Sequence, residues 1–378
     1  MSTLTSVSVT LPDDKVPTKE IIRDIIGTFL PKEWLSTDPE TLNMSYHASF
    51  ANAHIHVERP PPSSGTATEP LKLFIKLHNE GGGALEIFTP LAPTKQTEAQ
   101  LCEQYGRSGL GAKVYGFFQT QDGTLGRIDE FLDARTLEPE DVEDATIRAD
   151  VAKGLATFHA MSMSLQKQPV EAYYEAIIGG LNKYHRMERL KSLAKEGGVN
   201  IDALVDYDFA TRLATVVDQL KARGAKTGWC IHDIQFMNIL VKNNKQPGES
   251  SVVLIDFEFV MQNYRAFDIG GHFMQKLFKW FDETSRIAGC RPFSEEEKRH
   301  FCAEYAARWN EVTGDADSAE QVFVEAELGY LLALTFDVHN MLCFMDVAGD
   351  KDPLNLLGLN KLFEEFEAQY AALGLANP

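Results

Sequence analysis

The chain has 378 residues and a formal net charge of −19. This length exceeds that of one small domain and suits two lobes that each bury a core. The negative charge disfavours binding to nucleic acids and anionic membranes, because both present repelling phosphates. No run of about 20 apolar residues predicts a membrane span. The N-terminus lacks the basic start and apolar core of a signal peptide, so we expect a cytoplasmic protein.

The five cysteines are odd in number and widely scattered. No two of them have the Cys-x-x-Cys spacing of a zinc or redox site, so we expect free thiols that are mostly packed inside the protein. They are Cys102, Cys230, Cys290, Cys302 and Cys343.

The first third of the chain predicts a small sheet with one helix across it. Residues 17–30 carry apolar side chains at helical spacing, which predicts an amphipathic helix at the start of the fold. Alternating residues at 54–58 and 71–77 predict two strands of an antiparallel hairpin. The other elements predicted here are a helix at 94–108 and strands at 113–118 and 126–131.

The rest of the chain is predicted to be mainly helical. Only two strands are predicted in this half, at 239–241 and 252–255, joined by a polar turn at 243–248. They form a hairpin, so their outer ends lie side by side. The predicted helices cover residues 139–161, 171–195, 201–222, 294–312, 318–346 and 354–372.

Two polar motifs flank that hairpin. Asp233 is followed five residues later by Asn238, and Asp256 comes at the end of the second strand. Protein kinases place their catalytic-loop Asp, a metal-binding Asn and a second metal-binding Asp in this order. We therefore predict that Asp233 is the base for an attacking hydroxyl group. Asn238 and Asp256 would bind Mg²⁺, which prefers oxygen ligands, and ATP would be the phosphoryl donor.

A site of this kind also needs a cation for the nucleotide phosphates, paired with an acid on the adjacent helix. Lys76, on the strand at 71–77, and Glu98, on the helix at 94–108, fit these two roles. Lys72 lies four residues earlier and would face the same side of the strand, so it is a rival of Lys76.

A longer string follows the second motif. Asp256-Phe-Glu continues at residues 263–273 as Asn-Tyr-Arg-Ala-Phe-Asp-Ile-Gly-Gly-His-Phe. On these residues the chain closely resembles the choline/ethanolamine kinase family, and the likeness extends over residues 70–275. Further matching segments lie at 108–116, 130–131, 135–137, 156–161 and 230–238.

The resemblance implies an α+β, bilobed, protein-kinase-like fold. A small antiparallel-sheet lobe, residues 1–131, would bind the nucleotide. A mainly helical lobe, residues 132–378, would carry the catalytic loop and the acceptor site. Mg-ATP would be the donor and a small amino alcohol the acceptor.

By position, the resemblance also assigns residues. Asp233 matches the catalytic Asp of the family, and Asn238 and Asp256 match its metal ligands. Lys76 and Glu98 match the strand cation and the helix acid. The residues that we expect on the acceptor side are Gln235, His232, Glu258, Arg265, Gln275 and Asp337.

Two departures from the family concern the catalytic and phosphate loops. The family places a bracing His two residues before the catalytic Asp, where Ile231 stands here. His232 stands beside the Asp instead, and we expect it either to line the acceptor site or to pack in the core. The phosphate-covering loop matches residues 45–52, which contain no glycine, and Asn52 is its candidate for cofactor binding.

Two further departures remove contacts to a cationic acceptor. Gln275 replaces an acidic residue that would face the amine, and residues 340–343 replace a Trp-x-x-Trp cage. Asp337 and Asp346 could restore a negative charge, or they could be merely solvated. We therefore expect an ethanolamine-like acceptor ahead of choline.

Two alternative functions remain open. A pseudokinase or nucleotide-binding module would explain the glycine-free loop and the displaced His. A phosphotransferase for aminoglycosides or another natural product would share the catalytic residues and differ only in its acceptor cleft. Members of the resembled family are often dimers, so a homodimer is also left open.

Overall fold

The computed structural model describes residues 3–48, 52–63, 65–78, 91, 93–163 and 168–375. These described residues divide into two units, each with its own strands and helices. The first unit contains the described residues within Met1–Ala84, Pro93–Ala134 and Lys242–Asn244, and the second contains those within Leu85–Ala92, Arg135–Val241 and Lys245–Pro378.

The first unit is built on a six-stranded sheet. Its strands are β1 (Thr5–Ser6), β2 (Asn43–Ala48), β3 (Asn52–Glu58), β4 (Lys72–His78), β5 (Val114–Gln119) and β6 (Leu125–Glu130). They lie in the order β1-β5-β6-β4-β3-β2, and only β1 and β5 pair in parallel. Two longer helices accompany the sheet, α1 (Lys19–Phe29) and α2 (Lys95–Arg107). The predicted hairpin, later strands and helices are confirmed, whereas the sequence pattern does not predict β1 and β2.

The two faces of β4 have different surroundings. Leu73, Ile75 and Leu77 are buried in the core, together with apolar side chains of α1. Successive side chains of a strand point to opposite faces, so Lys72 and Lys76 lie on the other side of the sheet. The apolar core therefore fixes the face on which both candidate phosphate-binding lysines lie.

The second unit is mainly helical, as predicted. Two of the predicted helices are each divided into two. The helix predicted at 171–195 is interrupted at Arg186, because its left-handed φ of 56° cannot belong to an α-helix. The helix predicted at 201–222 is interrupted before Asp208, which caps the second of its two parts. The helices are α3 (Ala145–His159), α4 (Val170–Tyr184), α5 (Glu188–Glu196), α6 (Asp202–Val205), α7 (Phe209–Ala222), α8 (Ala266–Gln275), α9 (Glu295–Thr313), α10 (Ala319–Ala348) and α11 (Pro353–Ala372).

Five further short strands surround the two predicted motifs. They are β7 (Ala134–Thr136), β8 (Thr227–Cys230), β9 (Ile239–Lys242), β10 (Val252–Leu254) and β11 (Met261–Tyr264). The predicted hairpin is confirmed as the antiparallel pair β9–β10. The prediction of only two strands in this half is wrong, because β7 extends that sheet and β8 pairs with β11.

Helices α8 and α10 approach each other closely at two glycines. A Cβ atom on Gly329 would lie 1.8 Å from the backbone oxygen of Ala266, and one on Gly270 would lie 2.1 Å from the backbone nitrogen of Tyr330. Neither position can carry a larger residue unless the backbones separate. The close crossing also buries every residue of α8.

Helix α10 has 30 residues and is apolar around most of its circumference. By length and composition it would meet the requirements of a membrane-spanning helix. However, 17 of its residues are buried within the protein, and it packs against α8, α9 and α11. Burial on several sides accounts for its composition, since a helix enclosed by neighbours needs no polar face.

We predict that Gly329→Ala destabilises the second unit. The added methyl group would overlap the backbone of Ala266, and overpacking of this kind costs about 1–3 kcal/mol or more. Thermal or urea unfolding should show the loss. Gly179→Ala is the matched control: Gly179 also lies in a helix but has nothing within 4 Å of an added Cβ, so this change should stabilise by up to about 1 kcal/mol. Equal stability of the two variants would contradict the proposed crossing constraint.

Candidate active site

The loop between β8 and β9 brings three predicted site residues together. Asp233 accepts a hydrogen bond from Gln235 Nε2 at 2.8 Å and another from Asn238 Nδ2 at 2.9 Å. Asn238 Nδ2 also donates to the backbone oxygen of Asp233 at 3.0 Å. These bonds orient the Asp233 carboxylate. They use the amide nitrogen of Asn238, which leaves its amide oxygen to bind a cation.

The β9–β10 hairpin brings Asp256 to the same loop. The N–H group of Ile255 donates to the backbone oxygen of Asn238 at 3.0 Å, so the end of β10 lies beside the end of the loop. Asp256 follows with a left-handed φ of 63°, which is unfavourable for a residue with a side chain. Strained backbone of this kind is frequent at active sites and ligand sites.

The Asp233 carboxyl lies where its charge is disfavoured. Burial is the main reason that its pKa is raised to about 6. The hydrogen bonds from Gln235 and Asn238 oppose this rise, whereas the carboxylates of Asp256 and Glu258 add to it. A divalent cation would relieve the mutual repulsion of these acidic groups. A pKa near the ambient pH also suits a group that accepts a proton during a reaction.

Asp268, which has no role assigned from the sequence, holds the loop in place. It lies on α8 and is fully buried, and its carboxylate accepts bonds from the N–H groups of Ile231 at 2.6 Å and His232 at 3.0 Å. His159 Nε2 bonds to the same carboxylate at 2.9 Å. Burial raises the pKa of Asp268, but its hydrogen bonds and the nearby histidines lower it by more, so the pKa lies below its usual value. An Asp between Phe267 and Ile269 is the sequence signal, because a charge among apolar residues needs a buried partner.

His159, Cys230 and Asp268 have potential metal-binding atoms within 4.8 Å of one another. Each atom already has a protein partner: His159 Nδ1 bonds to the Tyr305 hydroxyl at 2.7 Å, and Cys230 Sγ donates to backbone oxygens of β11. We therefore interpret the cluster as a hydrogen-bonded part of the core. All five cysteines are free and four of them are buried, as expected.

His232 does not line an accessible acceptor site. Its side chain is buried, Nδ1 bonds to the backbone oxygen of Cys230 at 3.0 Å, and Asn263 Nδ2 donates to Nε2 at 2.9 Å. Burial lowers its pKa to about 4, so the ring is neutral at neutral pH. Of the two alternatives expected for His232, the geometry favours packing in the core over a contact to the acceptor, because one ring nitrogen bonds to β8 and the other to β11. Its φ of 66° lies in the left-handed region, which is unfavourable for a residue with a side chain.

Arg265 is also removed from the acceptor side. Its side chain is completely buried, and its guanidinium group pairs with Asp317 at 2.6 Å and with Glu325 at 3.1 Å. A buried guanidinium paired with Glu325 of α10 holds the start of α8 against that helix, and its burial keeps it from contact with a ligand. The expected role of Arg265 in acceptor binding is thus replaced by a structural one.

Gln275 and Asp337 meet although 62 residues separate them in sequence. Gln275, the last residue of α8, donates from Nε2 to Asp337 Oδ2 at 3.2 Å. Burial and, to a lesser extent, the charge of Asp233 raise the pKa of Asp337 to about 8. Asp346, the other acid considered for this place, pairs with Lys183 and Arg189 instead. Asp337 is therefore the acid that lies beside Gln275, which replaces the acidic residue of the family.

In the first unit, Lys76 and Glu98 form the expected ion pair. Lys76 Nζ lies 3.2 Å from Glu98 Oε1, and both side chains are almost fully buried. Burial raises the pKa of Glu98, but Lys76, Lys95 and Arg127 lower it by more, so the group is held ionised. The rival Lys72 is half exposed and pairs with Glu58 at 3.4 Å. The geometry thus favours Lys76 over Lys72 as the cation that is paired with the helix acid.

The same face of the sheet has a cavity of about 210 Å³, lined in part by His56, Lys72 and Phe131. Asn52 begins β3, and its Oδ1 accepts a hydrogen bond from His78 Nδ1 at 3.0 Å. Residues 49–51 of the proposed phosphate-covering loop lie outside the described residues. A role for Asn52 in nucleotide binding stays a prediction.

The two units and the loop geometry define a kinase-like protein. A choline kinase of Cryptosporidium parvum aligns with a TM-score of 0.63 and 14% identity over 94% of this chain and 96% of that one. An aminoglycoside 2'-phosphotransferase-IIIa variant, solved as a GDP complex, aligns with a TM-score of 0.53 and 12% identity over 96% of this chain and all of that one. The predicted α+β, protein-kinase-like fold is confirmed.

The family follows from the sequence comparison. The choline/ethanolamine kinase family model matches residues 47–342. A human choline/ethanolamine kinase is 25% identical over 283 residues, which cover 74% of this chain and 67% of that protein. The chain belongs to the choline/ethanolamine kinase family, and the resemblance inferred from residues 256–273 is confirmed.

We predict that Asp268→Ala both unfolds more easily and turns over slowly. It would leave the N–H groups of Ile231 and His232 buried without partners, at a cost of about 1–3 kcal/mol each. Asp268→Asn keeps an acceptor oxygen and should be milder. Urea unfolding measures the first effect. The second effect should reduce kcat while the KM for Mg-ATP changes little, because Asp268 positions the loop and binds no substrate. A variant with normal stability and kcat would refute this role.

Proposed function

We propose that the chain transfers the γ-phosphoryl group of ATP to the hydroxyl group of a small amino alcohol, with ethanolamine-like acceptors ahead of choline. The observation that carries the proposal is the Asp233 carboxylate, oriented by Gln235 and Asn238 beside Asp256. Family membership supports the same chemistry, since the related proteins include choline kinases and a probable ethanolamine kinase.

In the proposed reaction, Asp233 accepts the proton of the acceptor hydroxyl group while the hydroxyl oxygen bonds to the γ-phosphorus atom. The bond between that phosphorus and the β,γ-bridging oxygen breaks, and ADP leaves with the oxygen. Before Mg²⁺ binds, burial raises the pKa of Asp233 to about 6. A cation bound nearby would lower this pKa and favour the ionised carboxylate, which is the form that accepts the proton.

Asn238 and Asp256 are the proposed ligands of Mg²⁺. The free amide oxygen of Asn238 and a carboxylate next to two other acidic groups are the donors that this ion prefers. When bound, Mg²⁺ neutralises negative charge on the phosphate oxygens. The protein's own contribution is to hold both oxygens at the ends of the rigid β9–β10 hairpin.

In the first unit, Lys76 is the proposed contact to the nucleotide phosphates. Its pairing with Glu98 would hold the ammonium group in one position before ATP binds, which reduces the entropy lost on binding. The cavity on the same face would hold the nucleotide base against the rings of His56 and Phe131.

Gln275 and Asp337 are proposed to contact the amino group of the acceptor. Without a cation nearby, Asp337 keeps its proton at neutral pH because its pKa is about 8. A bound ammonium group would favour the ionised carboxylate and form hydrogen bonds to it. A primary ammonium has more hydrogen-bond donors than a trimethylammonium group, so this pair favours ethanolamine over choline.

A panel assay with Mg-ATP tests the proposal against the two alternatives. Phosphorylated product from ethanolamine, methylated ethanolamines or choline would support it. Phosphorylated product from an aminoglycoside but from no amino alcohol would show that the proposed acceptor class is wrong and that the enzyme is an aminoglycoside phosphotransferase. A rise in Tm with Mg-ATP but no product from any acceptor would favour a nucleotide-binding pseudokinase.

We predict that Asp233→Asn and Asp256→Asn each reduce kcat by roughly 10²-fold or more, because each removes a base or a proposed metal ligand. The Tm of Asp233→Asn should be unchanged or higher, since it removes a charge that burial disfavours. Asp346→Asn is the control, because this carboxylate pairs with surface cations outside the site. Wild-type turnover in either site variant would exclude that residue from the reaction.

We also predict that acceptor binding depends on pH through Asp337. Below its pKa of about 8 the carboxyl must lose a proton before it can pair with an ammonium group. The KM for choline, whose charge does not change with pH, should therefore fall as the pH rises, by up to about tenfold per unit below that pKa. Asp337→Asn should remove this dependence. The same pH profile in wild type and variant would show that another group is responsible.

A further inference from the structure

A cavity of about 300 Å³ in the second unit adjoins the catalytic loop. Its lining includes Gln235, which bonds to Asp233, and Gln275, which bonds to Asp337. The cavity thus begins where the hydroxyl and amino groups of the proposed acceptor would lie. Its volume is far larger than a two-carbon amino alcohol requires, because a cavity of about 150 Å³ already holds a benzene ring.

Beside polar residues, the lining of this cavity includes a group of large apolar side chains. Phe278 and Trp280 stack with ring centroids 4.7 Å apart and planes within 3°. Phe281 is 72% exposed, and Met237, inside the catalytic loop, is 45% exposed. Large apolar side chains that are exposed together in a concave site mark a place for an apolar ligand.

The segment that carries the three aromatic rings is held by its own hydrogen bonds. Phe278 pairs with Ile287 in an antiparallel bridge, and the N–H group of Lys279 donates to the backbone oxygen of Arg286 at 2.9 Å. The apolar wall is therefore formed before a ligand binds, which limits the entropy lost on binding.

Charge at the cavity does not oppose a cationic ligand. The ammonium group of Lys279 lies 3.3 Å from Glu138, so its charge is balanced by a neighbouring carboxylate. Asp282 adds a second carboxylate to the lining. An ammonium compound with an apolar group fits both the charge and the surface of the cavity.

We propose that this cavity binds an apolar, ring-sized substituent on the nitrogen atom of the acceptor. The acceptor class is then an N-substituted amino alcohol. Its hydroxyl group lies at Asp233, its ammonium group at Gln275 and Asp337, and its substituent against Phe278 and Trp280. This inference rests on the proposed function and narrows its acceptor.

The test compares kcat/KM for ethanolamine and N-benzylethanolamine with the full chain and Mg-ATP, and identifies the products by mass spectrometry. The kcat/KM for N-benzylethanolamine should exceed that for ethanolamine by about tenfold or more. A single methylene group in an apolar pocket already changes kcat/KM by about this factor, and a benzyl group is larger. 3-Phenyl-1-propanol, which has the ring and hydroxyl group but no amine, should be a poorer substrate than N-benzylethanolamine.

Variants locate the preference in the cavity. Phe281→Ala changes an exposed side chain and leaves the core intact, and Trp280→Ala removes one ring of the stack. Both should reduce the ratio of the two kcat/KM values towards one. Phe344→Ala, which changes an exposed aromatic residue on α10 outside the cavity lining, should keep the wild-type ratio.

The outcomes separate this inference from the proposed function. If ethanolamine is phosphorylated as well as or better than N-benzylethanolamine, the inference is wrong and the proposed function stands. If no amino alcohol is phosphorylated, both are wrong. If the preference exists but persists in Phe281→Ala and Trp280→Ala, the assignment to this cavity is wrong.

Discussion

The buried carboxylate of Asp268 is the interaction on which the rest of the site depends. A charged group with no exposure is unfavourable unless its hydrogen bonds are satisfied, and here two backbone N–H groups of the catalytic loop and the ring of His159 satisfy them. Helix α8, which carries Asp268, ends at Gln275. One helix of ten residues therefore fixes both the loop that presents Asp233 and one wall of the proposed acceptor site.

Elements with a strong hydrophobic period could be predicted from the sequence. In β4 the apolar and polar residues alternate, and in α1 they recur at helical spacing, because each element has one buried face. The elements that the sequence pattern does not predict give weak signals for different reasons. Strands β1 and β7 have only two and three residues, and β2 has no fully buried residue. Helix α8 has no exposed residue, so its sequence has no polar face that would indicate a helical period. The break at Arg186 has no glycine or proline to indicate it.

The parts of the site that depend on local geometry could also be predicted. A hairpin brings its ends together, so the spacing of Asp233, Asn238 and Asp256 was sufficient to expect their proximity. The contact of Gln275 with Asp337 depends instead on how α8 crosses α10, which neither segment encodes alone. His232 and Arg265 stand in the matching motif, but the motif does not indicate whether a polar side chain faces a ligand or the core. Tertiary burial decides this question.

The contact between Gly270 and Gly329 has a consequence for how acceptor specificity can evolve. Because the two helices meet backbone to backbone, the crossing holds its position whatever side chains stand further along each helix. Gln275 and Asp337 lie beyond the crossing, whereas Asp268 lies close to it on α8. Under the proposed function, substitutions of Gln275 and Asp337 would therefore change the contacts to the acceptor and leave the loop that carries Asp233 in place. Few substitutions are then needed to change the proposed acceptor while the residues proposed for phosphoryl transfer stay the same.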